Sequence, residues 1–141
     1  MTKAVAVVVL LAVVLRRLLV VITVRGNSMQ PTYADGDVLL AVRARPLRRG
    51  RAIVFTPPVS HDVEAPAYRV KRLIAVAGDP TPEWVYAATP GAPVPPGRIV
   101  VRGDNHQSED SRAYGYVSGA GVLGVVVRRL QSSKNSDDSG R

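Results

Sequence analysis

A serine in a sharp turn is the first residue of this sequence that could do chemistry. Ser28 follows Gly26 and Asn27, residue types that tolerate a positive φ angle, and Pro31 directs the chain out of the turn. Such a backbone can present the Ser28 hydroxyl outward as a nucleophile. The same pattern also describes an ordinary turn in which a serine caps its own backbone. The choice between the two depends on which base the rest of the chain supplies.

A serine hydroxyl becomes a useful nucleophile only when a neighbouring base takes its proton. Lys71 is a candidate, because strand alternation places it on the same face as Leu73 and Ala75, where apolar surroundings disfavour the charged ammonium. It is also the only lysine between Lys3 and Lys134 in a chain that otherwise uses arginine. The alternative is a lysine that reaches solvent from the edge of a sheet.

A histidine base is the second possibility. A Ser-His-Asp triad would combine Ser28 with His61 and Asp62, or with His106 and Asp104. His61 lies in a segment that predicts an irregular loop, and a histidine in a polar turn more often has a structural role. We therefore favour Lys71 as the base.

A dense polar segment supplies groups that could support the site. Residues 103–112 read Gly-Asp-Asn-His-Gln-Ser-Glu-Asp-Ser-Arg and follow an apolar strand. Ser108 could hold a neutral lysine by accepting a hydrogen bond from its amine, and Asp110 and Arg112 could pair to brace the turn. The segment is expected to form a hydrogen-bonded turn beside the site.

Composition limits the class of protein. A chain of 141 residues can bury one core. It has no cysteine and two histidines, so we expect no disulfide, no metal site and no cofactor. The 19 basic and 11 acidic residues leave a net charge of +8, which favours an anionic neighbour. Phospholipid is preferred to nucleic acid, because no stacking aromatics are interleaved with the arginines of residues 43–51.

Short β-branched and apolar runs predict strands rather than helices in the domain. The predicted strands are residues 18–24, 38–42, 52–55, 68–76, 99–101 and 122–127, with a further short one at 84–86. This pattern favours an all-β sandwich or barrel over residues 19–130. Residues 131–141 are polar and are predicted to be a disordered tail.

The N-terminus predicts a membrane anchor helix over residues 1–18. Residues 4–15 are uniformly apolar, and Arg16 and Arg17 follow them. We prefer a short spanning helix that places these arginines at the interface; an interfacial anchor and a cleavable signal peptide are the alternatives. Three arginines outweigh Lys3, so the positive-inside rule places the following domain in the cytoplasm.

Three motifs in order resemble the type I signal peptidases, membrane-anchored Ser/Lys proteases of the S26 family. The motifs are Arg-Gly-Asn-Ser-Met-Gln-Pro-Thr at 25–32, Tyr-Arg-Val-Lys-Arg-Leu-Ile-Ala-Val-Ala-Gly-Asp at 68–79, and the segment 103–117. The resemblance implies a single-pass protein of the cell membrane with its catalytic domain on the extracytoplasmic face, opposite to the charge rule. It also implies cleavage of signal peptides from exported preproteins after small residues.

The resemblance assigns roles to individual positions. It makes Ser28 the nucleophile, Lys71 the general base and Ser108 the group that orients the lysine. The implied structural supports are Asp104, Asn105, Asp110 and Arg112, and the implied substrate-binding positions are Gly26, Asn27, Met29 and Pro31. Some family members carry a hydroxyl as a second oxyanion donor where this chain has Gly26, so a backbone group or water must replace it.

Three other functions compete with general signal-peptide removal. The first is a maturation peptidase specialised for one partner protein. The second is a self-cleaving repressor-type Ser/Lys protease, which the lack of a helix-turn-helix pattern before Ser28 disfavours. The third is a membrane-tethered binding module in which Ser28 is inert.

Overall fold

One curled antiparallel sheet forms most of the structure, a computed structural model that describes residues 2–43, 46–58 and 67–133. Within these ranges the helices are α1 (Thr2–Leu18) and α2 (Ser111–Tyr114), and the strands are β1 (Leu19–Thr23), β2 (Val38–Val42), β3 (Ala52–Phe55), β4 (Arg69–Val76), β5 (Arg98–Arg102), β6 (Val117–Ser118) and β7 (Val122–Gln131). The strand order is β1-β2-β7-β3-β4-β5-β6. The predicted all-β domain is confirmed, in the form of a half-barrel.

The sheet has a buried core on each of its faces. All four residues of β3 are buried: Ala52 and Val54 belong to one apolar cluster, and Ile53 and Phe55 to another. A strand buried on both sides reads as a continuous apolar run rather than an alternation, as it does here. β3 is therefore the centre of the domain, and β4 pairs with it over residues 69–72.

Burial along β4 alternates, as the sequence predicts. Lys71, Leu73 and Ala75 are buried, and the residues between them are only half-buried. The prediction that Lys71 shares the apolar side of its strand is thus confirmed. Lys71 lies directly opposite Ile53 of β3, so the strand pairing places its amine at a defined position.

One predicted strand and one predicted boundary are wrong. Residues 84–86 form turns instead of a strand, because the surrounding prolines leave a single bridge between Pro80 and Pro93. The polar tail begins later than predicted. β7 continues to Gln131, and the Ser133 amide donates to Asp37 Oδ1 at 2.9 Å; residues 134–141 lie outside the described ranges.

The predicted N-terminal helix is present as α1, and none of its residues is buried. Among the helices of the described ranges, none combines the length and hydropathy needed to cross a membrane, so the predicted spanning segment is not supported.

Candidate active site

A cleft of about 750 Å³ lies where three distant segments of the chain meet. These segments are the end of β1 with the turn that follows it, the start of β4, and the polar turn after β5. The cleft is lined by Ser28 from the first segment, Lys71 from the second, and Asn105 and Ser108 from the third. Tertiary folding thus brings the candidate nucleophile, the candidate base and two candidate supporting residues to one place.

Ser28 lies in a loop that is closed at its base and braced across its middle. The Val24 amide donates to the Asp37 carbonyl at 2.8 Å, and the Gly36 amide donates to the Val24 carbonyl at 2.8 Å. Gly26 has a φ of +79°, as the predicted sharp turn requires, and its amide donates to Asp35 Oδ1 at 2.6 Å. The loop presents Ser28 half-buried at the cleft wall.

Lys71 is almost completely buried, with 1% of its surface exposed. Its Nζ donates to Ser108 Oγ at 2.7 Å. Burial lowers the pKa of Lys71 from 10.5 to about 8; the nearby Arg69 and Arg112 also lower it, and the carboxylates of Asp110 and Glu109 oppose them. The amine is half neutral near pH 8 and can then accept a proton.

The polar turn also holds the backbone of Ser28, the candidate nucleophile. The Asn105 amide donates to the Ser28 carbonyl at 3.0 Å, and the Asn105 side chain donates to the Asn27 carbonyl at 3.0 Å. A side chain at Gly103 would clash with two residues of the cleft: its Cβ would lie 2.0 Å from Ser108 Oγ and 2.6 Å from the Ser28 carbonyl oxygen. Only glycine allows these segments to approach so closely.

Asp110 and Arg112 form an ion pair that organises the polar turn. Arg112 donates from Nε to Asp110 Oδ1 at 2.9 Å and from its terminal nitrogen to Oδ2 at 2.7 Å. Asp110 also accepts from the Gly103 amide at 2.7 Å and caps α2. Burial by itself raises the pKa of Asp110, but these hydrogen bonds outweigh it and hold that pKa below its ordinary value.

Asp104 joins the three motifs together. It accepts from Arg72 at 2.8 and 2.6 Å and from the Thr32 hydroxyl at 2.5 Å. Arg72 follows Lys71 on β4, and Thr32 belongs to the loop that carries Ser28. The Arg72 guanidinium holds the pKa of Asp104 below its ordinary value, so this carboxylate is charged and fully engaged.

Two predicted substrate-binding residues do not line the cleft. Met29 is 1% exposed and packs into the core cluster that contains Val24 and Leu39, because its apolar side chain turns inward beneath the loop. Pro31 lines a separate surface depression beside Arg72. Gly26 and Asn27 do line the cleft.

The alternative triad is not assembled from His106 and Asp104. His106 is exposed and is not among the residues that line the cleft, and Asp104 is occupied by Arg72 and Thr32. His61 and Asp62 lie outside the described residues. Over the ranges that the structure covers, no group of three or more metal-binding side chains comes together either.

The cleft is also lined by residues for which the sequence predicted no role in the site, among them Arg25, Tyr68, Arg69 and Glu109. Arg69 had a detectable signal, since it lies two positions before Lys71 in a strand and should point to the same side. No local sequence pattern indicated Glu109, because its place at the cleft depends on how the polar turn folds.

Comparison with known proteins identifies similar sequences. The family model described as signal peptidase, peptidase S26, matches residues 1–82, which include Ser28 and Lys71. Two curated relatives, each named signal peptidase I and each from a strain of Streptococcus pneumoniae, are 38% identical to the chain over 58 residues. The aligned part is 41% of this chain and 26% of each relative, so the chain spans about a quarter of their length.

Proposed function

Because this chain belongs to the signal peptidase family, peptidase S26, we propose that it is a serine endopeptidase that removes signal peptides from exported preproteins. In this proposal Ser28 is the nucleophile, Lys71 is the general base, and cleavage follows a small residue. The observation that carries it is the buried Lys71 amine, bonded to Ser108 and lining the same cleft as Ser28.

The proposed reaction proceeds through an acyl-enzyme. The neutral Lys71 amine takes the proton of the Ser28 hydroxyl as Oγ attacks the scissile carbonyl. The C–N bond breaks, and the Lys71 ammonium returns its proton to the leaving amine. Lys71 then deprotonates a water molecule that attacks the ester. The bond between the acyl carbon and Ser28 Oγ breaks, and the Lys71 ammonium returns its proton to Oγ, which releases the new carboxyl end and restores Ser28. Burial assists both steps, because it lowers the pKa of the amine and so increases the fraction of Lys71 that is neutral near pH 8.

The supporting residues have assigned tasks in the proposal. Ser108 orients the lysine, Asn105 fixes the Ser28 backbone, and the Asp110–Arg112 pair holds the turn that carries Ser108. The Ser28 amide supplies one oxyanion donor, and a backbone group or water supplies the second in place of a hydroxyl at Gly26.

The experiment is cleavage of a preprotein by the purified full chain. Wild type is expected to release the mature protein, and Ser28→Ala and Lys71→Ala are each expected to abolish release. Ser118→Ala is the matched control, since Ser118 is exposed and its side chain makes no capping hydrogen bond. A Lys71→Ala variant that keeps most activity contradicts the mechanism. A serine acylating reagent that fails to label Ser28 supports an inert binding module instead.

We also propose that α1 attaches the protein to a phospholipid membrane, with the catalytic domain on the extracytoplasmic face of the cell membrane. α1 is apolar and exposed, and it ends in Arg16 and Arg17, which suit anionic headgroups. Protease digestion of sealed membrane vesicles tests the orientation. Residues 26–141 are expected to be protected in inside-out vesicles and cut in right-side-out ones, and the reverse result contradicts the proposal.

A further inference from the structure

The cleft carries more positive charge than its proposed chemistry needs. Among the residues that the structure describes, Arg25, Arg69 and Lys71 line it, against the single carboxylate of Glu109. The position of the Lys71 amine is explained by its hydrogen bond to Ser108, and the Arg25 side chain is exposed to solvent. Arg69 lies on the same side of β4 as Lys71, and neither a bond to Ser108 nor full exposure explains its place in the cleft.

Arg69 differs from the other arginines around the site in having no partner for a buried atom. Its Nε is buried, and the described part of the chain offers that atom no hydrogen-bond acceptor. Arg72 and Arg112, by contrast, each bond to a carboxylate, at 2.6 and 2.7 Å. A buried donor on a charged group is costly when it stays unpaired, so its presence in a cleft indicates that a ligand supplies the acceptor.

The chemistry of that acceptor follows from the guanidinium. Arginine presents a planar fork of donors that matches a carboxylate and binds it through two parallel hydrogen bonds. The only acidic residue that lines the cleft among the described residues is Glu109, and it forms no ion pair with Arg69. Among the described residues, no carboxylate pairs with Arg69, so its guanidinium can bind a carboxylate brought by the substrate.

We propose that Arg69 is a specificity-determining residue that binds an acidic side chain of the substrate next to the scissile bond. This inference rests on the proposed function, because the cleft must be the one in which Ser28 acts. Arg69 lies two residues from Lys71 in an extended strand, about 7 Å along the chain. The acidic residue is accordingly expected within three positions of the bond that is cut.

The test uses fluorogenic peptides that contain one cleavable alanine. At each of the other five positions within three residues of the cut, the residue is Glu, Gln or Lys in turn, while the alanine before the cut is kept. With the wild-type full chain, kcat/KM at one position is expected to be about tenfold higher or more for Glu than for Gln, as a charged hydrogen bond provides, and lowest for Lys. The preference should weaken at high salt, because the partners are partly exposed.

Two variants then assign the preference. Arg69→Gln is expected to bring the Glu-to-Gln ratio of kcat/KM to about one, and Arg69→Glu is expected to favour Lys. The control is Arg98→Gln, which removes an exposed arginine of β5 that does not line the cleft and should leave the ratio unchanged.

The outcomes separate this inference from the proposed function. If wild type cuts the Glu and Gln peptides equally well at every position, the inference is overturned and the peptidase assignment stands. A loss in Arg69→Gln that is equal for all peptides also overturns it, since the arginine then binds a backbone carbonyl that every peptide shares. If wild type cuts no peptide and no preprotein, both proposals fail.

Discussion

At the scale of single residues, the proposed role of the Lys71 amine as general base predicts how activity depends on pH. With a pKa of about 8, about one tenth of the amine is neutral at pH 7 and half at pH 8. We expect kcat/KM to rise with pH, about tenfold per pH unit below pH 7, and to level off above pH 9. The measurement is kcat/KM for one peptide between pH 5.5 and 9.5.

Glu109→Gln provides the control for that pH profile. The Glu109 carboxylate raises the pKa of Lys71, so its removal should lower that pKa and shift the midpoint of the profile to lower pH. A midpoint that moves to higher pH, or a wild-type profile that is flat, contradicts Lys71 as the base.

Burial of the Lys71 amine also lowers the stability of the folded protein. A pKa of about 8 against an ordinary 10.5 means that folding disfavours the ammonium by about 3 kcal/mol. Between pH 8 and 10.5 the unfolded state holds more protons, so the stability of wild type should rise with pH in this range. Lys71→Met should be more stable than wild type at pH 7, with a smaller advantage at pH 10.

Urea unfolding at pH 7 and pH 10 measures this difference. The matched control is Lys3→Met, because Lys3 is exposed in α1 and its replacement should change stability equally little at both pH values. A Lys71→Met variant that is less stable than wild type at pH 7 would show that the bond to Ser108 outweighs desolvation of the amine.

Gly103 is the residue at which the smallest change should have a large effect. Gly103→Ala adds a Cβ that overlaps Ser108 Oγ and the Ser28 carbonyl, so the polar turn must move away from the loop. We expect kcat to fall by about 100-fold or more, because a displacement of about 1 Å at a catalytic group costs that much. The assay is peptide cleavage, with circular dichroism to show that the fold remains.

The comparison variant is Gly121→Ala. The Cβ added there meets nothing nearer than the Thr56 carbonyl oxygen at 3.4 Å, an ordinary contact far from the cleft. It should therefore keep near-wild-type activity. Equal losses in both variants would indicate a general effect of alanine on folding rather than a close approach at the site.

At the scale of elements, the polar turn and α2 depend on one buried carboxylate. Asp110 is completely buried and accepts hydrogen bonds from Arg112 and from the Gly103 amide. Asp110→Asn removes the charge and leaves the Arg112 guanidinium without its carboxylate partner, so we expect a loss of about 3 kcal/mol of stability at pH 7. Thermal unfolding measures this loss of stability. The control is Glu109→Gln, which changes an exposed carboxylate next to Asp110.

The contribution of Asp110 to stability should depend on pH in a definite direction. The pKa of Asp110 is lowered in the folded state, so its stabilisation is present above the unfolded pKa of about 3.8 and is lost as the pH falls through the folded value. The difference in stability between wild type and Asp110→Asn should therefore shrink on acidification. A difference that grows below pH 4 contradicts a charged Asp110.

At the scale of the whole molecule, the last strand holds the loop that carries Ser28. Arg129 of β7 lies 3.3 Å from the buried carboxylate of Asp37, donates to the Thr32 carbonyl and stacks over the Tyr33 ring at 5.3 Å. Burial raises the pKa of Asp37, but the amides of Ser133 and Ala34 and the Arg129 charge hold it below its ordinary value. The C-terminal part of the domain thus stabilises the loop that carries Ser28.

Replacement of Arg129 tests this long-range contact. Arg129→Met should lower stability by about 1–2 kcal/mol and increase hydrogen exchange at the Tyr33 and Asp37 amides, because a buried carboxylate loses a partner. Arg128→Met is the matched control, since Arg128 is exposed and a surface change of this kind usually costs within about 0.5 kcal/mol. Equal exchange in the two variants would exclude the proposed role of Arg129.

The local sequence determined the elements and the identity of the central groups. Alternation and β-branched runs predicted β2, β3 and β4 and placed Lys71 on a buried side, because these properties depend on near neighbours in the chain. The paired Asp110 and Arg112 were also recognisable, since they lie two residues apart. The motifs around Ser28 and Lys71 pointed to the family for the same reason.

Only the tertiary structure decided which of these groups share the cleft. Met29 packs in the core, and Asp104 bonds to Arg72 rather than to a histidine. Arg69 and Glu109 line the cleft. Arg129 and Thr32, which are 97 positions apart, became neighbours. Contacts of this kind depend on how the sheet curls and which strands pair, and no local pattern of residue types encodes the distance between segments so far apart in the chain.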